Sequence, residues 1–268
     1  MIYKIDNFKR TYYAMNKIRL SIAFTFIFLV TQAEAQQSNK ILIAAASDLK
    51  FALDSVVNAF KTKNAGTIDV TYGSSGKLSE QISNGAPFDL FFSADITYPN
   101  QLKEKGLTIS DIYPYGVGRI VVWSKKINPQ TEGIKSLLQP SVKKIAIANP
   151  AHAPYGKRAE EALTYYKMSE ATKDKLVYGE NISQTAQFVT TGAADIGIIA
   201  LSLALSPTMK HENGNYYLVP ENSHQPLVQG VVLTNHAKGN DLAVAFLQFV
   251  KSNTSQEILR YFGFSKPQ

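Results

Sequence analysis

The feature that most constrains this chain is an alternation. A short apolar run stops at small or hydroxyl-bearing residues, and a segment with apolar residues at helical spacing follows. "KILIAAAS" (Lys40–Ser47) is the first such run, after which Leu49, Leu53, Val56, Val57 and Phe60 recur on one helical face. The break predicts a strand ending at Ala46–Ser47, with Ser47 or Asp48 capping the next helix. "TIDVTYG" reads as a second strand, "KLSEQISNG" as a short helix closed by Gly85, and "FDLFFSAD" (Phe88–Asp95) as a third strand. Strands alternating with helices imply an α/β fold with a parallel sheet and ligands at the carboxyl ends of the strands.

Near Tyr113 the pattern changes. "YPYGVGRIVVWSK" contains a proline and glycines, then a long β-branched run. A second series begins at "KIAIANP" (Lys144–Pro150), with a helix over "YGKRAEEALTYYKM", a strand at "KLVYGEN" (Lys175–Asn181) and a helix at "SQTAQFVTTG". "ADIGIIALSLAL" reads as a strand with a following turn. "PLVQGVVLTN" (Pro226–Asn235) is again β-rich, and "NDLAVAFLQFVKSNTSQEILRYFGF" supplies the final helices. Two βα series joined by extended segments near 114–123 and 226–234 predict two lobes with two crossings between them. Lobe 1 is expected over residues 36–116 and 230–268, and lobe 2 over 117–229, within the usual range of domain sizes.

Residues 1–35 are expected to be a removable leader. Lys17 and Arg19 precede the apolar run "LSIAFTFIFLVT" (Leu20–Thr31), and "AEA" at Ala33–Ala35 offers a cleavage site before Gln36. The run is shorter than the roughly 20 apolar residues a membrane span needs. A signal beginning at Met15 has the more usual proportions. The sequence has no cysteine, which excludes a lipid-anchored cysteine, disulfides and thiolate metal sites. Export to the periplasm as a soluble protein follows as the expectation. Of the formal net charge of +7, the leader holds five basic residues against Asp6 and Glu34, so about +4 remains after cleavage. The remaining basic residues are scattered, with no stripe interleaved with aromatics, so nucleic acid is not an expected partner.

Four strand-to-helix turns, two per lobe, carry the chemistry. Ser47 stands at the first; Gly73, Ser74, Ser75 and Gly76 form the second. The third is "NPAHAPYGKRAEEAL" (Asn149–Leu163), where Pro154 suits a helix start and leaves the Tyr155 amide, or its hydroxyl, facing the cleft. At the fourth, "GENISQTAQ" (Gly179–Gln187), the Ile182 amide is free at a helix start. Each turn alone is explained by capping. Together they suit a small oxyanion held by neutral donors and helix ends, where N–H groups are unpaired and the dipole is positive. The glycine-serine turn is no phosphate-binding loop, because Thr71 and Leu78 occupy the positions of its first glycine and final hydroxyl. Nor is Gly73–Gly76 a nucleophile elbow, being one residue short. His152, His211, His224 and His236 show no metal-ligand spacing. Asp48 is expected to cap its helix, with Asp89, Asp95 and Asp195 bracing turns. In the cleft, a carboxylate would repel an anion yet could receive a proton from a protonated one.

"AAASDL" (Ala44–Leu49), "GSSGKLSEQISNGAPFDLFFSAD" (Gly73–Asp95), "NPAHAPYGKRAEEAL", "GAADIGIIALS" (Gly192–Ser202) and the ending "LQFVKSNTSQEILRYFGF" resemble the periplasmic molybdate-binding proteins of ABC importers. The likeness covers nearly all of the mature chain. It implies a type II periplasmic-binding-protein fold, with the oxyanion between two lobes. The family's binding positions fall on Ser47 and Ser75, giving hydroxyls, and on Tyr155 and Ile182, giving backbone amides. Another branch of the family has a tyrosine donor where this chain has Ala200. Tyr155 or Ser202 is the expected replacement, and Asp48 a further contact. The resemblance also implies molybdate or tungstate as ligand, no cofactor, no catalysis, a membrane permease as partner and a monomer. Ligand-driven closure about the crossing strands would follow. The rival readings are a binding protein for another oxyanion such as sulfate or phosphate, an exported serine hydrolase, and an interaction domain whose turns are merely turns.

Overall fold

The computed structural model describes residues 39–267; the expected leader lies outside the described residues. The strands are β1 (Lys40–Ala46), β2 (Thr67–Gly73), β3 (Leu90–Ser93), β4 (Tyr113–Gly118), β5 (Ile120–Ser124), β6 (Ile145–Ala148), β7 (Leu176–Gly179), β8 (Ile196–Ala200), β9 (Asn215–Leu218) and β10 (Leu227–Leu233). They build two five-stranded sheets, in the orders β2-β1-β3-β10-β4 and β7-β6-β8-β5-β9. Each sheet has three parallel strands, then a reversed strand (β10 or β5) paired antiparallel on both sides. The result is a two-lobed α/β protein.

Helices cover the sheets. In the first lobe, α1 (Lys50–Lys61), α2 (Ser75–Ser83) and α3 (Thr97–Glu104) follow the strands; α4 (Pro154–Tyr165) and α5 (Ile182–Thr191) do so in the second. The last two, α6 (Asp241–Val250) and α7 (Asn253–Tyr261), return to the first lobe, where Phe246 and Leu259 join Leu53 and Phe60 over one face of its sheet. The Phe60 and Phe246 rings meet edge to face at 5.1 Å. Leu78, Ile82 and Leu102 pack on the other face against Phe91 and Val232. Burying each such side chain is worth about 1.5–3 kcal/mol, so the first lobe holds its strand ends firmly. Ala46 and Ala94, at strand ends of the first lobe, pack into the core cluster of the second.

Several expectations needed adjustment. The long β-branched run after Tyr113 is two strands: β4 pairs in the first sheet and β5 in the second, with Arg119 between them. The Arg119 carbonyl accepts the Leu201 amide instead of a ladder bond. "TYPNQLKE" was not expected as a helix, yet it forms α3. Pro99 sits in its first turn, where the missing N–H has no intrahelical partner to lose. The segment after Ala200 is two short helical turns, Leu201–Ala204 and Pro207–His211. Neither Ser47 nor Asp48 caps α1. A single 3-10 turn, Ser47–Leu49, leads into it, and no side chain supplies a cap.

Candidate functional site

Each of the four turns sits at the carboxyl end of a strand, so the two sheets present them toward each other. Between them lies a tight cavity, with about 10 Å³ of room for the centre of a water molecule, lined by Ser47, Asp48, Ser74, Ser75, Tyr155 and Ile182 together with small apolar residues. Among the described residues, no lysine, arginine or histidine lines it. The structure thus brings all four expected donors to one place. A roomier hollow beside Pro114, Arg119 and His224 holds none of them.

The donors differ in readiness. Ser75 Oγ accepts the buried amide of Ala94 at 2.9 Å. That bond uses an oxygen lone pair and leaves the hydroxyl proton to be donated. Tyr155 is the second residue of α4 and Ile182 the first of α5, so neither amide has an intrahelical acceptor. Ser47 is already engaged across the lobes: its Oγ donates to Asn181 Oδ1 at 3.1 Å and accepts the Ser183 amide at 3.2 Å. Its proton must turn from Asn181 before it can reach an anion. Asn181 keeps its own role meanwhile, capping α5 by accepting the Gln184 amide. The close fit of α4 on its strand requires Gly156, because a Cβ there would collide with the Ala148 carbonyl.

Asp48 does something other than cap. It is 1% exposed, and its Oδ2 accepts both the Tyr155 hydroxyl at 2.9 Å and Gln229 Nε2 at 2.8 Å. Gln229 Oε1 in turn accepts the Tyr115 hydroxyl at 2.7 Å. Asp48 Oδ1 has no hydrogen-bond partner. Burial pushes this carboxyl up to about 6, against the lowering effect of the Gln229 and Tyr155 hydrogen bonds. Nearby amides of Asp48 and Leu49 lower it less, without closing a bond to Oδ1. The Tyr155 hydroxyl is itself held well above the ordinary tyrosine range, by burial first and then by the Asp48 charge. These bonds correct one expectation: Tyr155 commits its hydroxyl to Asp48, so it does not replace the donor missing at Ala200. Ser202 does not either. Its Oγ donates to the Asp48 carbonyl at 2.8 Å, and it does not line the cavity. Asp95 braces its turn by accepting the Thr97 amide, and Asp195 accepts the Lys143 and Lys144 amides, whereas Asp89 Oδ2 accepts the Leu42 amide within β1.

Direct contacts join the lobes around the cavity. The Gly76 amide donates to the His152 carbonyl at 2.9 Å, and His152 Nδ1 meets Ser74 Oγ at 3.0 Å. Arg158, 7% exposed, reaches from α4 to Asp95 Oδ2 at 3.2 Å and to Glu161 Oε1 at 2.5 Å. The Ser74–His152 pair does not extend to a catalytic relay, because the other ring nitrogen stands 3.6 Å from half-exposed Glu180, beyond hydrogen-bonding distance. Sequence reasoning missed Gln229, Tyr115, Ala94, Asn181 and Arg158. Gln229 had a signal: it is the one polar residue inside the apolar run "PLVQGVVL".

Residues 41–265 match the family described as bacterial extracellular solute-binding protein. The chain is 32% identical to the molybdate-binding protein ModA of Azotobacter vinelandii over 231 residues, 86% of this chain and 91% of the relative. Its identity to ModA of Rhodobacter capsulatus is 31% over 229 residues, 85% and 88% of the two chains. Among solved structures, the periplasmic molybdate-binding protein of A. vinelandii superposes with a TM-score of 0.78 at 28% identity, over 85% of this chain and all of that one. The sulfate-binding protein SubI of Mycobacterium tuberculosis H37Rv has a TM-score of 0.69 at 16% identity, covering 84% of this chain and 86% of its own, and shares the fold alone.

Proposed function

This chain belongs to the bacterial extracellular solute-binding protein family, and on that premise we propose that it captures molybdate between its lobes for delivery to an ABC importer. The observation that carries this is the convergence of Ser47, Ser75, Tyr155 and Ile182 on one cavity without a cation. Its work is binding rather than catalysis. The anion is held through its oxygens: Ser75 donates a proton that Ala94 leaves free, the Tyr155 and Ile182 amides donate from helix starts, and Ser47 turns from Asn181 to complete the set. The starts of α2, α4 and α5 add fixed positive potential. Hydrogen bonds to a charged acceptor are worth about 1.5–3 kcal/mol each, so a handful bind tightly without a buried lysine.

Because two donors come from each lobe, an anion that reaches all of them is bound best in the closed form and stabilises it. Tungstate, of nearly the same size, is expected to bind as well. A smaller tetrahedral anion such as sulfate leaves donors unmet, each at a cost of about 1–3 kcal/mol. The protein is read as a cleaved, periplasmic monomer handing its ligand to a membrane permease. Titration calorimetry with molybdate, tungstate and sulfate on the cleaved protein tests the proposal. Absence of molybdate binding would overturn it, and sulfate bound as tightly as molybdate would remove the selectivity.

A further inference from the structure

We propose that Asp48 is a proton-carrying contact of the anion site, taking up one proton from solvent on Oδ1 as a dianion binds and donating it as a hydrogen bond to an anion oxygen. This rests on the functional reading above. Three observations carry it. Asp48 lines the same cavity as the four donors. Its Oδ2 is already occupied by two donors, the Tyr155 hydroxyl and Gln229 Nε2. Its Oδ1 is buried and unpaired. A proton arriving on this carboxyl therefore finds its place on Oδ1, the oxygen without a hydrogen-bond partner. An ionised carboxylate there would instead face a doubly negative ligand with no cation between them. The proton turns a repulsive neighbour into a fifth donor. No bond within the anion is broken, and the proton comes from water or buffer.

The surroundings leave few other groups to answer for a pH effect. Of the elements packed on the Ser47–Leu49 turn, α5 and the Leu201–Ala204 turn carry no ionisable side chain, and on α1 Lys50 lies 3.8 Å from Asp54 while Lys61 is exposed at the far end. From α4 come Tyr155 and Arg158, the latter already shared by Asp95 and Glu161; Lys157 and Glu160 are exposed. β10 and β4 supply Gln229 and Tyr115. His152 stands at the rim against Ser74, with Glu180 and Lys77 beyond it.

The free carboxyl, held near 6 by burial, is mostly ionised at pH 7.5. Calorimetry with sodium molybdate at pH 7.5, in two non-anionic-oxide buffers of different ionisation enthalpy such as HEPES and Tris, should show uptake of about one proton per anion bound. Affinity should be level below pH ~6 and fall about tenfold per pH unit above ~7. Asp48→Asn should show neither the uptake nor the slope, whereas His152→Gln should retain the uptake whatever its affinity. Molybdate binding by the native protein with no proton uptake overturns the inference, as does uptake that survives in Asp48→Asn. Should Asp48→Asn fail to fold, absence of uptake in the native protein, or its loss in His152→Gln, still overturns the inference. Absence of molybdate binding at any pH overturns the functional reading, and this inference with it.

Discussion

The amide of Gly76 donates to the carbonyl of His152 at 2.9 Å, and the two residues belong to different lobes. Only a residue without a side chain permits this approach, since a Cβ on Gly76 would lie 2.8 Å from that carbonyl oxygen. Gly76→Ala should therefore hold the lobes apart where they must close on the anion. Molybdate affinity is expected to fall tenfold or more, about 1.4 kcal/mol, and small-angle scattering with saturating molybdate should give a larger radius than the native protein. Unchanged affinity would mean that closure does not need this contact.

Ser75→Ala removes a donor and strands the Ala94 amide that Ser75 now satisfies. Binding should weaken by about 1–3 kcal/mol, with a folded protein by circular dichroism and a slightly lower Tm. If calorimetry found native affinity, the hydroxyl would be serving Ala94 alone.

Anion selectivity is readable as heat stability. A ligand at 100 times its Kd adds about 2.7 kcal/mol to the folded state, and each kcal/mol raises Tm by roughly 2–4 °C for a chain of this size. Molybdate and tungstate should each raise Tm by several degrees at millimolar concentration, and sulfate far less. Equal shifts for all three would deny the size argument.

Asp48 also sets a pH dependence of stability without ligand. Its carboxyl stands at about 6 in the folded protein against 3.8 for an ordinary aspartate. A raised value means that the folded state holds the proton more tightly. The favourable contribution is complete below pH ~4 and is lost as pH rises through ~6. Above that, the ionised, buried group costs about 3 kcal/mol. Asp48→Asn should accordingly raise Tm at pH 8 and give little or no gain at pH 4. A gain of the same size at both values would assign the effect to packing instead of charge.

Much of this was legible in the sequence, for local reasons. The β1 and β2 runs stop at hydroxyl-bearing turns and are followed by helical periodicity, so the positions of Ser47 and Ser75 could be read directly. Pro154 marks the start of α4 and so the free Tyr155 amide. What stayed hidden depends on distant pairing. Asp48 meets Gln229 across 181 residues of chain, and no local pattern says that β10 lies between β3 and β4. Arg119 likewise looks like the middle of one strand until the sheets on either side are known. The Tyr155 hydroxyl was misjudged for the same reason: its partner comes from the other lobe.

The strand order has a further consequence for biogenesis. β4 has a single neighbour in its sheet, and that neighbour is β10, the final strand. A chain emerging from its amino end cannot complete the first lobe until residue 233 has appeared. All five strands of the second lobe, by contrast, lie within residues 120–218. Maturation therefore runs against the direction of synthesis, with the inner half ready before the half that was made first. A chain ending at residue 226 should retain protease resistance in the inner half and lose it in the outer one.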